Sequence, residues 1–388
     1  MLSALGPQTL FVCFSYLVVA SLLFFKLGTL TNGLAETEIA SRNSALSLRE
    51  ILNNPLYAPY KFFQYVLLKF DYQNAWTLRA ISAVIGAGTV GLFYSILRQW
   101  HTRRMSILST LLFATSAWTL HVSRLSTPDV LQFMLLGLLA TGLWMLHTKR
   151  QGAVLLFGGL VSVLCLYVPG LVWFVIASII WQRQRIVRLM REVSWQKLDA
   201  VILILLVGLA PLAYGLVIHP ELITAWLGLP AQFPSPDQYL INVAKVPFHL
   251  LIQGPKNPII WLGNAPVLDI FAGILALLGA YNFYLQRRLD RSRMFLAILL
   301  LGTVLIGFNG LVNLTLLLPF IYLLVASGIT LLLQQWFTVF PRNPLAKWIA
   351  VSMLTMVVSL TVFYQLSSYF IAWPQAPATR QHFTHSSQ

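Results

Sequence analysis

Polar and apolar residues along this chain are segregated into blocks. From Thr9 to Phe25 there is no charge, and apolar stretches of similar length recur almost to the end of the chain. About 18 or more apolar residues in succession are what a helix needs to cross the hydrocarbon core of a bilayer. On this basis eleven spans are predicted, near residues 8–28, 78–97, 105–122, 128–147, 152–168, 169–182, 199–218, 267–286, 293–309, 311–333 and 346–370. The fifth and sixth share one apolar stretch broken by Pro169 and Gly170. That pair suits either a tight turn between two short helices or a kink, so ten spans is the alternative count. The first run lacks a basic leader and a small-residue cleavage site, so it is expected to be a retained helix rather than a signal peptide.

The polar blocks between the runs differ in charge. Basic clusters at 98–104, 149–150, 183–191 and 287–293 alternate with segments poor in Lys and Arg, the positive-inside pattern. With the N-terminus inside, the outer segments are 29–77, 123–127, 219–266 and a C-terminal tail that reads as frayed. In the first outer loop Ile39, Leu46, Ile51 and Leu52 fall at roughly helical spacing. After Pro55 and Pro59, the stretch from Tyr60 to Phe70 reads as an amphipathic helix lying in the membrane interface. The second outer loop, 219–266, is rich in Pro and Trp and is expected to form an ordered cap. No low-complexity segment or internal repeat stands out, so the prediction is one all-α polytopic unit over 1–388.

Composition agrees with that class. Apolar residues make up 58% of the 388 positions and charged ones only 10%, where a soluble domain carries about a quarter. The net charge of +15 would suit a nucleic-acid partner only if it were gathered on one soluble face. Here it is spread over short loops, and no nucleic acid is expected. Cys13 and Cys165 both lie in apolar runs, which implies neither a disulfide framework nor a metal cluster.

Acidic residues are the scarce currency, eleven in all. Glu36, Glu38, Glu50, Asp71, Asp129, Glu221, Asp237 and Asp269 fall on or next to the outer face, against Glu192, Asp199 and Asp290 inside. Chemistry is therefore expected outside. Glu36 and Glu38 either cap an interfacial helix, where the helix dipole favours carboxylates, or hold a proton for a reaction. Asp129 follows Ser126, Thr127 and Pro128 in a good helix start, with Arg124 the nearest cation. Arg79 opens the second span and is read as a snorkelling side chain or a site residue. Lys61 is read as an interface anchor or a site residue, and Lys245, His249 and Lys256 lie in the second outer loop. His382 and His385 are three apart without a third ligand, so no metal site is expected. Asn313 to Thr315 fits a glycosylation sequon but sits at a span boundary. Gly86, Gly88 and Gly91 read as a packing face.

The order of these features resembles a known family. A first helix, an outer loop opening on acids, two juxtamembrane helices, then "TLRAISAVIGAGTVGLFYSILRQW" looks like the GT-C membrane glycosyltransferases. The protein O-mannosyltransferase and lipid A aminoarabinose transferase branch is the most similar. "LHVSRLSTPDVLQFMLL" and "WLGNAPVLDIFAGILALLGAY" look like later segments of that branch. The resemblance implies transfer of a sugar from a polyprenyl-phosphate carrier to a lipid, glycan or protein acceptor on the outer face, usually with inversion. It implies a carboxylate in the first loop, Glu38 or Glu36, that deprotonates or positions the acceptor, with Asp129 nearby. It implies cations at the departing phosphate, for which Arg124, Arg79, Lys61, Lys245, Lys256 and His249 are the candidates. No metal is required by the residues, and a divalent ion is left open.

Three positions depart from the family pattern. "AETEIA" stands where Asp-Glu is common, the basic pair before the juxtamembrane prolines is missing, and Asn313 stands where Arg or His often precedes "LLP". The competing readings are a transporter or lipid flippase, which would carry mid-span ionisable groups and paired repeats, and an inactive GT-C-like partner subunit. Compactness suggests a bacterial plasma membrane protein.

Overall fold

The computed structural model describes residues 7–31, 33–72, 74–147 and 151–383, with the side chains of 7–15 and 147 excepted. Cys13 as a side chain, Lys149, Arg150 and His385 lie outside the described residues. Among the described residues the structure is helical, without a strand.

Each predicted apolar segment is a helix. α1 spans Pro7–Phe24 and the first loop folds into α2 (Glu36–Asn43), α3 (Leu48–Asn53) and α4 (Ala58–Lys69). α5 (Ala75–Trp100) starts where the Asn74 side chain accepts the Thr77 N–H at 2.8 Å, and its 26 residues reach about 39 Å. α6 (Arg103–Thr115) and α7 (Ala117–Arg124) meet at a 62° bend. Ser116 makes that bend: its hydroxyl donates to the Phe113 carbonyl and accepts the Thr119 N–H, closing one helix and capping the next. A 3₁₀ turn, Pro128–Met134, leads into α8 (Leu135–His147).

α9 (Gln151–Leu166) and α10 (Leu171–Glu192) are separate helices. Gly170 between them has φ of 77°, a left-handed conformation that glycine adopts without penalty, so the turn and not the kink is realised. α11 (Trp195–Ile218), α12 (Leu222–Trp226), α13 (Pro236–Leu251), α14 (Ile270–Leu285) and α15 (Asp290–Gly307) follow. A 3₁₀ turn (Leu314–Leu316) precedes α16 (Leu318–Val339), and α17 (Pro344–Ser367) ends the bundle. Among the described residues five helices are long and apolar enough to cross a membrane, six if the bent α6–α7 pair counts as one. α9 and α14 are apolar but shorter. The eleven predicted segments are thus all helices but not all full-length crossings.

The core centres on α16, whose residues Leu318–Ile329 are buried without a break. Phe113 anchors it by meeting Phe93, Phe133 and Tyr322 ring to ring at 4.4, 6.0 and 5.6 Å. α14 and α16 approach backbone to backbone. A Cβ on Gly279 would lie 1.9 Å from the Leu324 carbonyl oxygen, and one on Gly328 2.0 Å from that of Leu275. Small residues permit this in membrane bundles, where contact itself drives association.

The non-spanning segments gather on one end of the bundle, here called the loop face. The Tyr57 N–H donates to the Tyr167 carbonyl, and the Gly170 N–H to that of Trp226. The second loop is ordered, as predicted: the Gly254 N–H and the Trp261 indole both donate to the Ala265 carbonyl. The tail is not frayed up to Phe383. A π turn (Ser368–Ala372), α18 (Trp373–Gln375) and α19 (Pro377–Phe383) fold back over the loop face. Trp373 and Phe383 are each 1% exposed, and the Trp373 indole and Thr379 hydroxyl both donate to the Pro258 carbonyl. The aromatic residues of this tail are core, which is why it holds.

Candidate active site on the loop face

The acid-bearing start of the first loop folds as a capped helix. Ala35 precedes α2, and the Glu38 side chain reaches back to accept the Ala35 N–H at 2.9 Å, the carboxylate half of a capping box. The same carboxylate takes Nε and Nη2 of Arg79 at 2.8 and 2.7 Å, and the Ser126 N–H at 2.7 Å. Glu38 is fully buried. Arg79 spends its remaining donors on the Leu27 and Gly33 carbonyls.

Around this pair runs a buried polar chain. Gln64 donates to the Ser126 hydroxyl and accepts from that of Ser41, Ser126 donates to the Leu78 carbonyl, and the Tyr60 and Ser82 hydroxyls meet at 2.8 Å. These bonds tie α2 and α4 to α5 and to the start of the Pro128–Met134 turn. Buried polar groups stay cheap only when satisfied, and this set is. Glu36, two residues earlier, is exposed.

Arg124 is equally committed. It is 2% exposed and donates to the Leu22, Leu23 and Phe25 carbonyls at the end of α1 and to the Tyr369 hydroxyl, with its guanidinium 4.9 Å from the Phe370 ring centre. It caps a helix C-terminus from another helix, where the carbonyls carry partial negative charge. The space between Arg79 and Arg124 is about 10 Å³, the room of one water. The sequence reading pairs these two arginines with a donor phosphate; in the structure both are hydrogen-bonded to protein groups.

Asp129 sits apart from Glu38, in a second polar group. Its carboxylate accepts from the Asn313 amide at 3.1 Å and from the Gln132 amide at 3.4 Å. Gln132 also donates to the Leu311 carbonyl and accepts the Asn313 N–H, so the loop before α16 is laced to the start of the 128–134 turn. The Tyr57 phenol lies near this group, on a side chain that is otherwise part of the hydrophobic core. Burial, and then the nearby Asp129 charge, push that phenol upward from its ordinary pKa. Tyr57 takes φ of 60°, an uncommon backbone for a bulky residue. Asp129 forms no ion pair among the described residues. Asp129 and Asn313 are partly buried, whereas Gln132 is 1% exposed.

Lys61 lies in the first turn of α4, where its backbone N–H donates to the Tyr57 carbonyl. It is 5% exposed, its Nζ donates to the Asn54 carbonyl at 2.8 Å, and burial pushes its ammonium down to about 8. Lys245 and Lys256 are exposed on the second loop, and the His249 Nδ1–H donates to the Gln253 carbonyl at 2.7 Å. None of these three joins the Asp129 group by a hydrogen bond or ion pair. The described residues hold no cluster of three metal-ligating side chains. An open depression of about 440 Å³ lies between the end of α1 and the start of α5, against Lys26, Asn74 and Trp76.

Tyr57, Gln132 and Asn313 were not chosen from sequence. Gln132 is legible after the fact as the i+3 neighbour of Asp129. Asn313 stood out only as a departure from the family pattern, and nothing local marks Tyr57.

No protein family's sequence profile matches the chain, and neither does any curated protein. Two solved structures do: ArnT from Cupriavidus metallidurans bound to undecaprenyl phosphate, and the same protein in the apo state. The first aligns at 14% identity with a TM-score of 0.55, the second at 12% and 0.54. Each covers 98% of this chain and 78% of the ArnT chain. The chain therefore has the all-α GT-C membrane fold expected from its sequence.

Proposed function

We propose that this protein is a membrane glycosyltransferase that moves a sugar from a polyprenyl-phosphate carrier to an acceptor hydroxyl or amine at the loop face. The observation that carries this reading is the fold match over 98% of the chain to a protein captured with undecaprenyl phosphate. The placement of a half-buried, unpaired carboxylate on the same face supports it. The loop face is taken as the outer face of a bacterial plasma membrane, because the positive-inside pattern assigns the basic clusters of the sequence to the opposite side.

Asp129 is the proposed base. A hydroxyl is a weak nucleophile, and a carboxylate within hydrogen-bond reach takes its proton as oxygen attacks the anomeric carbon. The sugar–phosphate bond breaks in the same step, and the leaving polyprenyl phosphate takes up the negative charge. Lys61 is the proposed counter-charge: one carbonyl contact holds it, and an arriving phosphate would restore its full ammonium character. Glu38 is assigned to positioning. Its two oxygens already accept from four protein donors, about the full acceptor capacity of a carboxylate. Glu36, exposed at the start of α2, remains a candidate for acceptor contact, as Lys245, Lys256 and His249 do for the donor side.

A second reading, a catalytically silent GT-C-fold partner subunit, draws on the commitment of Glu38, Arg79 and Arg124 to structure. One experiment separates the two. The purified protein in vesicles is given polyprenyl-phosphate carriers bearing radiolabelled sugars, with membrane lipid, glycan and protein acceptors. Label leaving the carrier for an acceptor supports the enzyme. Intact carrier crossing the bilayer without bond cleavage would instead show a flippase, and neither event would leave the silent subunit.

A further inference from the structure

A cleft of about 90 Å³ lies between α8, α10 and α15, with Leu135 and Leu139 as its floor and Ala177, Trp181, Ala297 and Ile298 along its sides. No residue of the Glu38 or Asp129 groups lines it. Apolar cavities of this kind exclude water and accept hydrocarbon. Apart from the Trp181 indole, the polar side chains of the cleft are Ser178 and Gln182. Gln182 is 6% exposed; its amide N–H donates to the Ser178 hydroxyl at 2.9 Å, and its side-chain oxygen has no partner. A buried carboxamide satisfied on one side only costs free energy, and a molecule entering the cleft would find it unspent.

Beyond this point α10 turns basic. The helix leaves the loop face at Gly170 and runs 22 residues, about 33 Å. Arg185 follows Ser178 and Gln182 at helical spacing, and Arg188 follows Trp181, so both stems continue the face that lines the cleft. At the far end of α10, Glu192 accepts from the Gln151 amide at the start of α9. Arg188 and Arg185 thus lie about 6 and 10 Å inside the level at which a neighbouring apolar helix begins. Neither has an ion pair or a hydrogen bond among the described residues, and Asp290 on the α15 side is paired with Arg293. Charges at membrane depth are costly and are found with partners.

Along one face of α10 the order is therefore apolar cleft, carboxamide, then two free guanidiniums. A phospholipid presents the matching order of acyl chain, ester and phosphate. We infer that the cleft seats one acyl chain of an anionic phospholipid from the leaflet opposite the loop face, with its phosphate on Arg185 and Arg188. Gln182 meets the ester region: with the Ser178 hydroxyl donating to its oxygen, its N–H groups are free for an ester carbonyl. Glu192, the acid on the same face, is held by Gln151, so the headgroup meets net positive charge and an anionic lipid is preferred to a zwitterionic one. This site stands apart from glycosyl transfer, and its test does not depend on that reading.

The test measures lipid retention by native mass spectrometry on the full chain in detergent, titrated with phosphatidylglycerol or with phosphatidylcholine of the same acyl chains. The wild type is expected to hold phosphatidylglycerol on the order of tenfold more tightly, the scale of two arginines at a lipid headgroup. Arg185→Gln with Arg188→Gln should remove most of that preference, and the corresponding pair of lysine substitutions should restore part of it. Both arginines are at least partly exposed, so these variants are expected to fold. Arg183→Gln with Arg191→Gln takes the same charge from the adjoining face and should change the preference by less than about threefold. Ala177→Phe, which fills the cleft, should weaken both lipids. The inference is overturned if the two lipids bind alike, if the Arg183 and Arg191 changes cost as much as those at Arg185 and Arg188, or if Ala177→Phe has no effect. Displacement of the lipid by millimolar glycerol phosphate would assign a soluble phosphate instead, and would overturn it as well.

Discussion

Arg79 and Glu38, 41 residues apart in sequence, meet in a two-pronged ion pair in which neither side chain is more than 3% exposed. The pair holds the first loop against α5 and, through the Ser126 N–H, against the turn that carries Asp129. Removing one partner of a buried pair leaves the other charge uncompensated, which costs about 3–5 kcal/mol, whereas replacing both by apolar groups is far milder. Glu38→Ala should therefore lower the thermal unfolding midpoint in detergent sharply, and the double change Glu38→Leu with Arg79→Met should recover much of the loss. Were Glu38→Ala to keep its midpoint and lose only transfer, the carboxylate would be chemical and not architectural.

Arg124 caps α1 through three carbonyls. Arg124→Lys keeps the charge but loses the planar fork that reaches several acceptors at once. Net loss of one or two charge-assisted bonds amounts to about 1.5–3 kcal/mol each. The expected result is a lower unfolding midpoint and faster amide exchange in the last turn of α1, with carrier affinity unchanged in the protein that remains folded. A selective loss of carrier affinity at full stability would place a phosphate at this arginine after all.

Lys61 gives a pH signature. Burial holds its ammonium at about 8, below its ordinary 10.5, so the folded state disfavours the charged form. Between those two values the unfolded chain binds a proton that the folded chain does not, and stability rises with pH through that window. Below about 8 the penalty is fully present. Lys61→Met should be more stable than wild type at pH 7, and the gap should close as pH climbs toward 10. Carrier affinity should fall as pH rises from 7 to 9 in the wild type, and this slope should be absent in Lys61→Met.

The α14–α16 contact has no room for a methyl group. Gly279→Ala would set a Cβ 1.9 Å from the Leu324 carbonyl oxygen, and backbone cannot yield as a flexible side chain does. Overpacking of this kind costs about 1–3 kcal/mol or more. Gly88→Ala serves as control, since nothing lies within 4 Å of a Cβ there. A drop in midpoint confined to Gly279→Ala is the expected outcome, and equal behaviour of the two variants would contradict the close approach.

The helices were legible because a bilayer-length apolar run leaves few alternatives, and the fold resemblance followed from their order. Even the choice between turn and kink at Pro169–Gly170 was posed correctly and needed only the φ of Gly170 to resolve. The site was less legible. Capping and ion pairing can use the same carboxylate, and sequence cannot say that Arg79 lies opposite Glu38 once the loop folds. Glu38 and Arg79 were picked out as active-site candidates, and the structure finds them bonded to each other. Tyr57, Gln132 and Asn313 come from three distant segments, so no local pattern could gather them. The tail misled for a related reason: it reads as frayed in sequence, and only tertiary contact shows Trp373 and Phe383 buried.

The most direct measurement is the rate of labelled-sugar transfer from polyprenyl-phosphate carriers by the wild-type protein and by Asp129→Asn, with Glu38→Gln alongside, each checked for an intact fold. The account predicts measurable transfer by the wild type and a fall on the order of 10²-fold or more in Asp129→Asn, the scale of a lost general base. It predicts that any loss in Glu38→Gln tracks its loss of stability. Wild-type rates in Asp129→Asn, or no transfer from any carrier by the wild type, would contradict it.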